Sequence, residues 1–194
     1  MKSLFLALCL LSLCNLVKAQ DTHFGIKGGL NITSLDVKDG VDFDSKAGFH
    51  IGGLAHVHLS PHFAIQPELV YSTQGGKDGD TKWKLGYLNV PLLLQIMTGT
   101  GFRFETGPQI GFAVSSKYKD GDIEYDYGDV TETVDVSWAI GVSYLFPEGI
   151  GFDARYNHGL TDVYEPGSYE IRNRVFQIGV FYQFMNTGQH SSRK

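Results

Sequence analysis

The chain has 194 residues, of which 42% are hydrophobic and 19% charged, and its formal net charge is −5. This length and composition predict a single folded domain and exclude disordered and collagen-like chains. The excess of acidic residues argues against nucleic acid as a partner. The 24 glycines and the 13% aromatic content are typical of strands joined by turns rather than of helix bundles.

The N-terminal segment differs in character from the rest of the chain. Lys2 gives it a basic start, the run from Leu4 to Val17 is largely apolar, and Val17-Lys18-Ala19 resembles a signal peptidase site. The run is shorter than the roughly 20 residues of a membrane-spanning helix. We therefore predict a cleaved signal peptide at 1–19. Both cysteines lie within it, so the exported chain is predicted to have no disulfide and no cysteine metal site.

Eight segments beyond residue 20 alternate apolar and polar residues, which is the period of a β-strand with two unlike faces. In the sixth segment, for example, Val136, Trp138 and Ile140 alternate with Ser137 and Ala139. Because no apolar stretch reaches about 18 residues beyond the signal peptide, the sequence excludes a helical membrane protein. The eight predicted strands are 23–32, 47–59, 62–73, 83–97, 101–114, 134–146, 150–160 and 174–184.

Short and long connections follow one another along the chain. The short ones are Ser60-Pro61, Thr98-Gly99-Thr100 and Pro147-Glu148-Gly149, and the long polar ones are 33–46, 74–82, 115–133 and 161–173. An even strand number with short turns at one end predicts an all-β fold, an eight-stranded antiparallel up-and-down transmembrane β-barrel. We assign the barrel to 20–184 and a disordered C-terminal tail to 185–194.

A soluble eight-stranded barrel would show the same alternation with its apolar face turned inward. The composition of the polar face favours the membrane barrel, because it is rich in Gly, Ala, Ser, Asn and Gln and poor in the Lys and Glu of a water-facing surface. Bulky aliphatic and aromatic residues occupy the other face on every strand. In water that surface would promote aggregation, whereas in lipid it matches its surroundings.

Five segments of the exported chain stand out: Phe24-Gly25-Ile26-Lys27-Gly28-Gly29-Leu30-Asn31, Gln66-Pro67-Glu68-Leu69, Tyr87-Leu88-Asn89-Val90-Pro91-Leu92-Leu93, Glu105-Thr106-Gly107-Pro108-Gln109 and 153–162. Together they resemble the PorT-like, or outer membrane protein beta-barrel domain, family of Bacteroidetes. The resemblance covers nearly the whole exported chain and implies an outer-membrane location in a Gram-negative bacterium. One branch of the family is linked to a protein secretion system, and the resemblance implies no enzyme activity.

The last strand is similar to an outer-membrane assembly signal, with Gln177, Gly179, Tyr182 and Phe184 as its polar, small and hydrophobic positions. This similarity implies barrel assembly machinery and outer-membrane lipid as partners. Such signals usually end at the terminal aromatic, whereas here a polar tail follows. Three prolines, Pro67, Pro91 and Pro108, fall within predicted strands, where we expect bulges or kinks.

Six charged residues alternate onto the inward face, and their signs balance: Lys27, Glu68, Arg103, Glu105, Asp153 and Arg155. We predict a packed salt-bridge cluster in the lumen, because buried charges persist when they are paired. A proton or ion path is the alternative. Since the interior of an eight-stranded barrel is filled by side chains, a permanent pore is not expected.

Histidines suggest two further kinds of site. His56 and His58 share a face, with His50 and His62 nearby, and this spacing can offer nitrogens to zinc or copper. Without a definite third ligand we interpret them as lumen-filling side chains and assign no metal and no cofactor. His158 is predicted on the lipid-facing side without a serine partner, so a lipid-modifying enzyme is the weaker reading.

The long connections are acidic, with carboxylates recurring over 36–44 and 120–132. The second run lacks the glycine and terminal glutamate of an EF-hand, so we interpret both as solvated surface loops. The sequence thus predicts a structural or binding role, with a narrow conduit or an accessory component of a secretion system as the alternative and a lipid-modifying enzyme as the third. The surface ligand or secretion partner is not specified by the sequence.

Overall fold

The computed structural model describes the chain over residues 22–37, 45–74, 77–78, 81–120, 123–126, 134–161 and 171–184. Ten antiparallel strands lie in this part: β1 (Thr22–Val37), β2 (Lys46–His58), β3 (Phe63–Gln74), β4 (Lys77–Asp78), β5 (Thr81–Met97), β6 (Phe102–Asp120), β7 (Ile123–Asp126), β8 (Val134–Leu145), β9 (Ile150–Gly159) and β10 (Ile171–Gln183). No helix in the described ranges is long and apolar enough to cross a membrane. The predicted signal peptide and the predicted tail lie outside the described residues.

Eight of these strands close into a barrel. Around the circumference the order is β5, β3, β2, β1, β10, β9, β8 and β6, and pairing between β5 and β6 completes the ring. Except for the β1–β10 contact, every neighbour is the next long strand along the chain. The predicted all-β, eight-stranded up-and-down barrel is therefore confirmed.

Two short strands were not predicted. β4 pairs with the start of β5, and β7 pairs with the end of β6, so both extend hairpins into regions that the sequence pattern assigned to loops. With two residues β4 is too short to show a period of two, whereas β7 does alternate over Ile123–Asp126 but lies in an acidic stretch that was assigned to a loop.

The alternation predicted the two faces correctly. Apolar side chains on the outer face are about half exposed, and examples are Leu30 at 69%, Ile140 at 61% and Phe152 at 52%. The inward side chains are buried and mostly polar, as with Asn31, Gln95 and Ser143. The barrel therefore has an apolar exterior and a polar interior, the reverse of a soluble ligand carrier.

The prolines interrupt the strand pairing without shifting its register. Pairs are missing beside Pro67 between β2 and β3, beside Pro91 between β3 and β5, and beside Pro108 between β5 and β6. Proline has no backbone N–H to donate to a carbonyl of the adjacent strand. Each of these prolines therefore interrupts one seam, that is, the pairing with one of its two neighbouring strands. The register shift lies elsewhere, between Gly86 and Tyr87 in β5, so the prolines have no bulge beside them, and the kinks expected as the alternative stay a prediction.

Glycine is required at two of the tight turns. Gly101, before β6, has φ of 97° and Gly149, before β9, has φ of 89°. This left-handed conformation is costly for a residue with a Cβ atom. Three tight turns join β2 to β3, β5 to β6 and β8 to β9, and all three lie at one end of the barrel. The start of β1 and the end of β10 lie at the same end.

Candidate functional site

Charged side chains inside the barrel form an ion-paired cluster, and Arg155 lies at its centre. Its Nη1 donates to Glu68 Oε2 at 2.9 Å and its Nη2 to Glu68 Oε1 at 2.9 Å, a bidentate pair. Its Nε donates to Glu105 Oε1 at 3.0 Å, and Nη2 reaches the same oxygen at 2.8 Å. A guanidinium fork between two carboxylates is the geometry that makes buried ion pairs strong.

Lys27 joins this arrangement from another wall. Its Nζ lies 3.4 Å from Glu68 Oε2 and 3.3 Å from Asp153 Oδ2. All of these side chains are almost completely removed from solvent. The paired cluster therefore consists of two cations and three carboxylates: Lys27, Arg155, Glu68, Glu105 and Asp153.

Neutral amides complete the hydrogen bonding of two carboxylates. Gln66 Nε2 donates to Glu68 Oε1 at 2.8 Å, and Gln95 Nε2 donates to Glu105 Oε2 at 2.9 Å. Buried carboxylates need their oxygens satisfied as well as their charge balanced. The paired cluster is therefore fixed by directional contacts, from Gln66 on the same strand as Glu68 and from Gln95 on the strand next to Glu105.

The position of the pairs on the barrel circumference shows what they span. β3 and β9 are four strands apart in either direction, so they lie on opposite walls. Glu68 is on β3 and Arg155 on β9, and their bidentate pair thus crosses the diameter of the lumen. The interior of an eight-stranded barrel is just wide enough to be filled by side chains, and here charged side chains fill it.

Arg103 differs from the sequence expectation of one six-membered cluster. Among the described residues its guanidinium makes one hydrogen bond, from Nη1 to Gln183 Oε1 at 3.2 Å, and no ion pair within 4.0 Å. Glu105, its neighbour on the inward face of β6, turns both oxygens toward other partners. The sequence could place Arg103 in the lumen but not choose its partner.

A layer of amides lies on the long-connection side of the paired cluster. Asn31 Nδ2 donates to Ser72 Oγ at 2.9 Å, and Gln177 Nε2 donates to Asn31 Oδ1 at 3.1 Å. Asn157 Nδ2 in turn donates to Gln177 Oε1 at 3.0 Å. Sequence reasoning placed these amides on the polar face but did not predict this network, which depends on the register between distant strands.

The histidines divide between the two ends of the lumen. His50 joins the amide layer through Nδ1, 2.8 Å from Asn31 Oδ1. His56 and His58 lie at the short-turn end with ring centroids 4.5 Å apart, and His23 of β1, which sequence reasoning did not consider, lies 5.7 Å from His58. Within the described ranges no three His, Cys, Asp or Glu side chains are placed to hold a metal ion.

The remaining predicted residues lie on the barrel wall. His158 faces outward beside Tyr156, with ring centroids 6.3 Å apart. Gln177 and Gly179 face inward, whereas Tyr182 and Phe184 face outward at the short-turn end with centroids 5.5 Å apart. The role of these four residues in assembly stays a prediction. The acidic stretches 36–44 and 120–132 lie outside the residues whose side chains are described.

A closed barrel with a lipid-compatible exterior and an ion-paired polar interior defines a transmembrane β-barrel of the outer-membrane class. The family model described as "Outer membrane protein beta-barrel domain" matches residues 18–165. The chain belongs to this family, and the protein is located in the outer membrane. Its short turns therefore mark the periplasmic end.

Solved structures agree with this assignment at the level of the fold. Neisserial surface protein A is similar with a TM-score of 0.62 and 16% identity over 85% of this chain and 100% of that chain. Ail, the attachment invasion locus protein of Yersinia pestis, is similar with a TM-score of 0.56 and 10% identity over 85% and 100%. Ail has also been solved in complex with the heparin analogue sucrose octasulfate, and that structure has a TM-score of 0.55 and 13% identity over the same shares. No curated protein matches the chain.

Proposed function

We propose that the protein is a non-conducting outer-membrane scaffold that presents its four long connections for binding at the cell surface. The observation that carries the first part is the bidentate pair between Arg155 and Glu68, which crosses the lumen. Ions passing through the barrel would have to break this pair and its links to Lys27 and Glu105. A buried pair held by several hydrogen bonds is costly to break.

The binding part of the proposal depends on charge. The sequence places 15 acidic and 7 basic residues in the four predicted long connections, 33–46, 74–82, 115–133 and 161–173. Only six of the 21 acidic residues lie elsewhere. A surface with this excess attracts cationic partners and repels polyanions. Ail, by contrast, was solved with a sulfated ligand, so we infer that this chain takes a basic peptide or protein surface instead.

We further infer that the chain belongs to the PorT-like branch from Bacteroidetes and that it is not an enzyme. The first inference rests on the segments quoted above. The second rests on His158, the histidine weighed as a catalytic residue, which faces outward between Trp138 and Arg174 on the neighbouring strands. This position faces lipid and lacks a nucleophile partner within the described residues.

Conductance tests the scaffold proposal. The full chain reconstituted in a planar bilayer should give no stable current steps, because the paired cluster closes the lumen. A double variant, Glu68→Ala with Arg155→Ala, removes the diametric pair without leaving either partner unpaired, and it shows whether the assay can detect an opened lumen. Stable, sizeable steps from the unmodified chain would overturn the proposal in favour of a narrow conduit.

Two measurements test the binding role. Vesicles containing the protein should bind oligolysine and not heparin at moderate ionic strength, and added salt should weaken the binding. Retention on heparin would contradict the charge argument. Crosslinking in native outer membranes then separates a lone barrel from a secretion component, since recovery of a defined secretion complex would favour the accessory role.

A further inference from the structure

The periplasmic end of the lumen holds a buried cation whose charge the protein leaves without a carboxylate partner. Arg103 is 6% exposed, and within the described residues only Gln183 accepts a hydrogen bond from it. A guanidinium has five N–H donors and cannot lose its charge. A buried cation in this condition is less favourable than a paired one.

Glu105 does not supply the missing pair. It is close enough to act on Arg103 electrostatically, but Oε1 accepts from Arg155 and Oε2 accepts from Gln95. The paired cluster has three carboxylates and two cations, so Arg103 balances its charge at a distance. Most N–H groups of the Arg103 guanidinium therefore donate no hydrogen bond to a described residue.

Other unsatisfied polar groups lie beside Arg103. His56 is completely buried beside the side-chain amides of Gln66 and Gln95, and neither of its ring nitrogens makes a hydrogen bond of ordinary geometry with them or with another described residue. Arg103 lies near enough for its charge to act on this ring. His23 pairs with His56 across the ladder between β1 and β2, and its Nδ1 is also buried and unsatisfied. Unsatisfied buried groups are rare in folded proteins, and several together call for an explanation.

All of these groups lie close to the periplasmic opening. Arg103 is the second residue of β6 and Gln183 is the last of β10. His56 lies two residues before the end of β2, and His23 is the second residue of β1. The paired cluster closes the lumen above them, so a ligand can reach them only from the periplasm.

We propose that this end of the lumen is a binding site for a small oxyanion, a carboxylate or a phosphate monoester, held by the Arg103 guanidinium with a ring N–H of His56. The planar fork of arginine matches both anions in a bidentate manner. A neutral imidazole adds one donor. A metal ion fits less well, because the Arg103 charge opposes a cation and the described side chains form no metal-binding group. This site is independent of the surface connections and of the proposed scaffold role.

NMR titration of the full chain in lipid nanodiscs tests the site. The reporters are the His56 ring and the side-chain amide of Gln183, because both remain when Arg103 is changed. Sodium phosphate, sodium acetate and sodium chloride are added at constant ionic strength. We expect saturable shifts with phosphate or acetate and none with chloride, and the relative midpoints show which oxyanion is preferred.

Variants decide whether Arg103 is responsible. Arg103→Gln should weaken the binding at least tenfold, and Arg103→Lys, which keeps the charge but loses the fork, should fall between that variant and the unmodified chain. Arg174→Gln is the matched control, since Arg174 lies on the outer face at the opposite end of the barrel, and it should leave the midpoint unchanged. If Arg103→Gln does not fold, the lysine variant still carries the test. Unsaturable shifts in the unmodified chain, or an unchanged midpoint in both Arg103 variants, would overturn the proposal.

Discussion

Replacing Arg155 with methionine tests the energetic role of the paired cluster. The change keeps a long side chain but removes the four hydrogen bonds that Arg155 donates to Glu68 and Glu105. Glu68 then retains Lys27 and Gln66, whereas Glu105 retains only Gln95. The three buried carboxylates of the paired cluster would then have one cation, Lys27, where there had been two. Removal of one partner from a buried pair costs about 3–5 kcal/mol, so we expect the free energy of unfolding to fall by that amount.

A double-mutant cycle separates this effect from a loss of packing. Arg155→Met leaves the Glu105 carboxylate without a cation, and Glu105→Gln removes that unpaired charge. The double variant should therefore lose less free energy of unfolding than the sum of the losses in the two single variants. We expect a coupling of at least about 1 kcal/mol, as is usual for contacting charged residues. Unfolding by urea from lipid vesicles gives each free energy.

The control is Arg174→Met on the outer face, which should change stability by less than about 1 kcal/mol. A loss below about 1 kcal/mol for Arg155→Met, or strict additivity in the cycle, would show that the paired cluster does not stabilise the barrel in the way argued here.

Three further predictions use adjacent or opposite faces as controls. Gly52→Ala should destabilise the barrel by about 1–3 kcal/mol in the same unfolding assay, because an added Cβ would lie 2.2 Å from the Leu69 carbonyl oxygen. The control is Gly53→Ala, which should be tolerated because its added Cβ would lie 3.7 Å from the nearest atom. Equal losses of stability in the two variants would refute the packing argument. Ile140→Arg, on the lipid-facing side, should cost about 2–4 kcal/mol in vesicles, and Glu148→Arg in the exposed turn should cost little, so similar values would contradict the membrane orientation. His158→Ala should leave the lipid A composition unchanged by mass spectrometry, and an altered lipid A would revive the enzyme reading.

The sequence was sufficient for the architecture because the fold is repetitive. Alternation with a period of two determines which face of each strand is inward, and Ile140 and Ser137 were placed on opposite faces without knowledge of the register. The outer face of a membrane barrel is covered by lipid and not by a second layer of protein. The apolar face of each strand could therefore be assigned without knowing how another element packs on it. These two properties explain why all eight long strands and their orientation could be predicted.

The partners of the inward side chains could not be predicted in the same way. Whether Glu68 meets Arg155 or Arg103 depends on the stagger around the closed barrel, which no local pattern encodes. Several inward apolar residues, Phe181 among them, were missed for a related reason. Phe181 fits because β9 places Gly151 directly opposite, where a Cβ would lie 2.2 Å from the Phe181 ring. The turn chemistry, in contrast, is local, and Gly149 marked its turn in the sequence.

The prolines and the paired cluster divide the barrel into two unlike arcs. Interrupted pairing occurs on three adjacent seams, from β2 through β3 and β5 to β6, while pairing on the other five seams runs without a break.

Three of the four ion pairs among the described residues connect these two arcs. Glu68 and Glu105 lie on β3 and β6 of the interrupted arc, and their cations Lys27 and Arg155 lie on β1 and β9 of the continuous arc. Each proline removes a backbone donor that no other group in the ladder replaces. The lost hydrogen bonds weaken the interrupted arc. The cross-lumen ion pairs offset this loss, because they hold β3 and β6 of that arc against strands on the opposite side of the barrel. The charged interior is therefore part of what keeps a proline-containing barrel closed, in addition to filling its lumen.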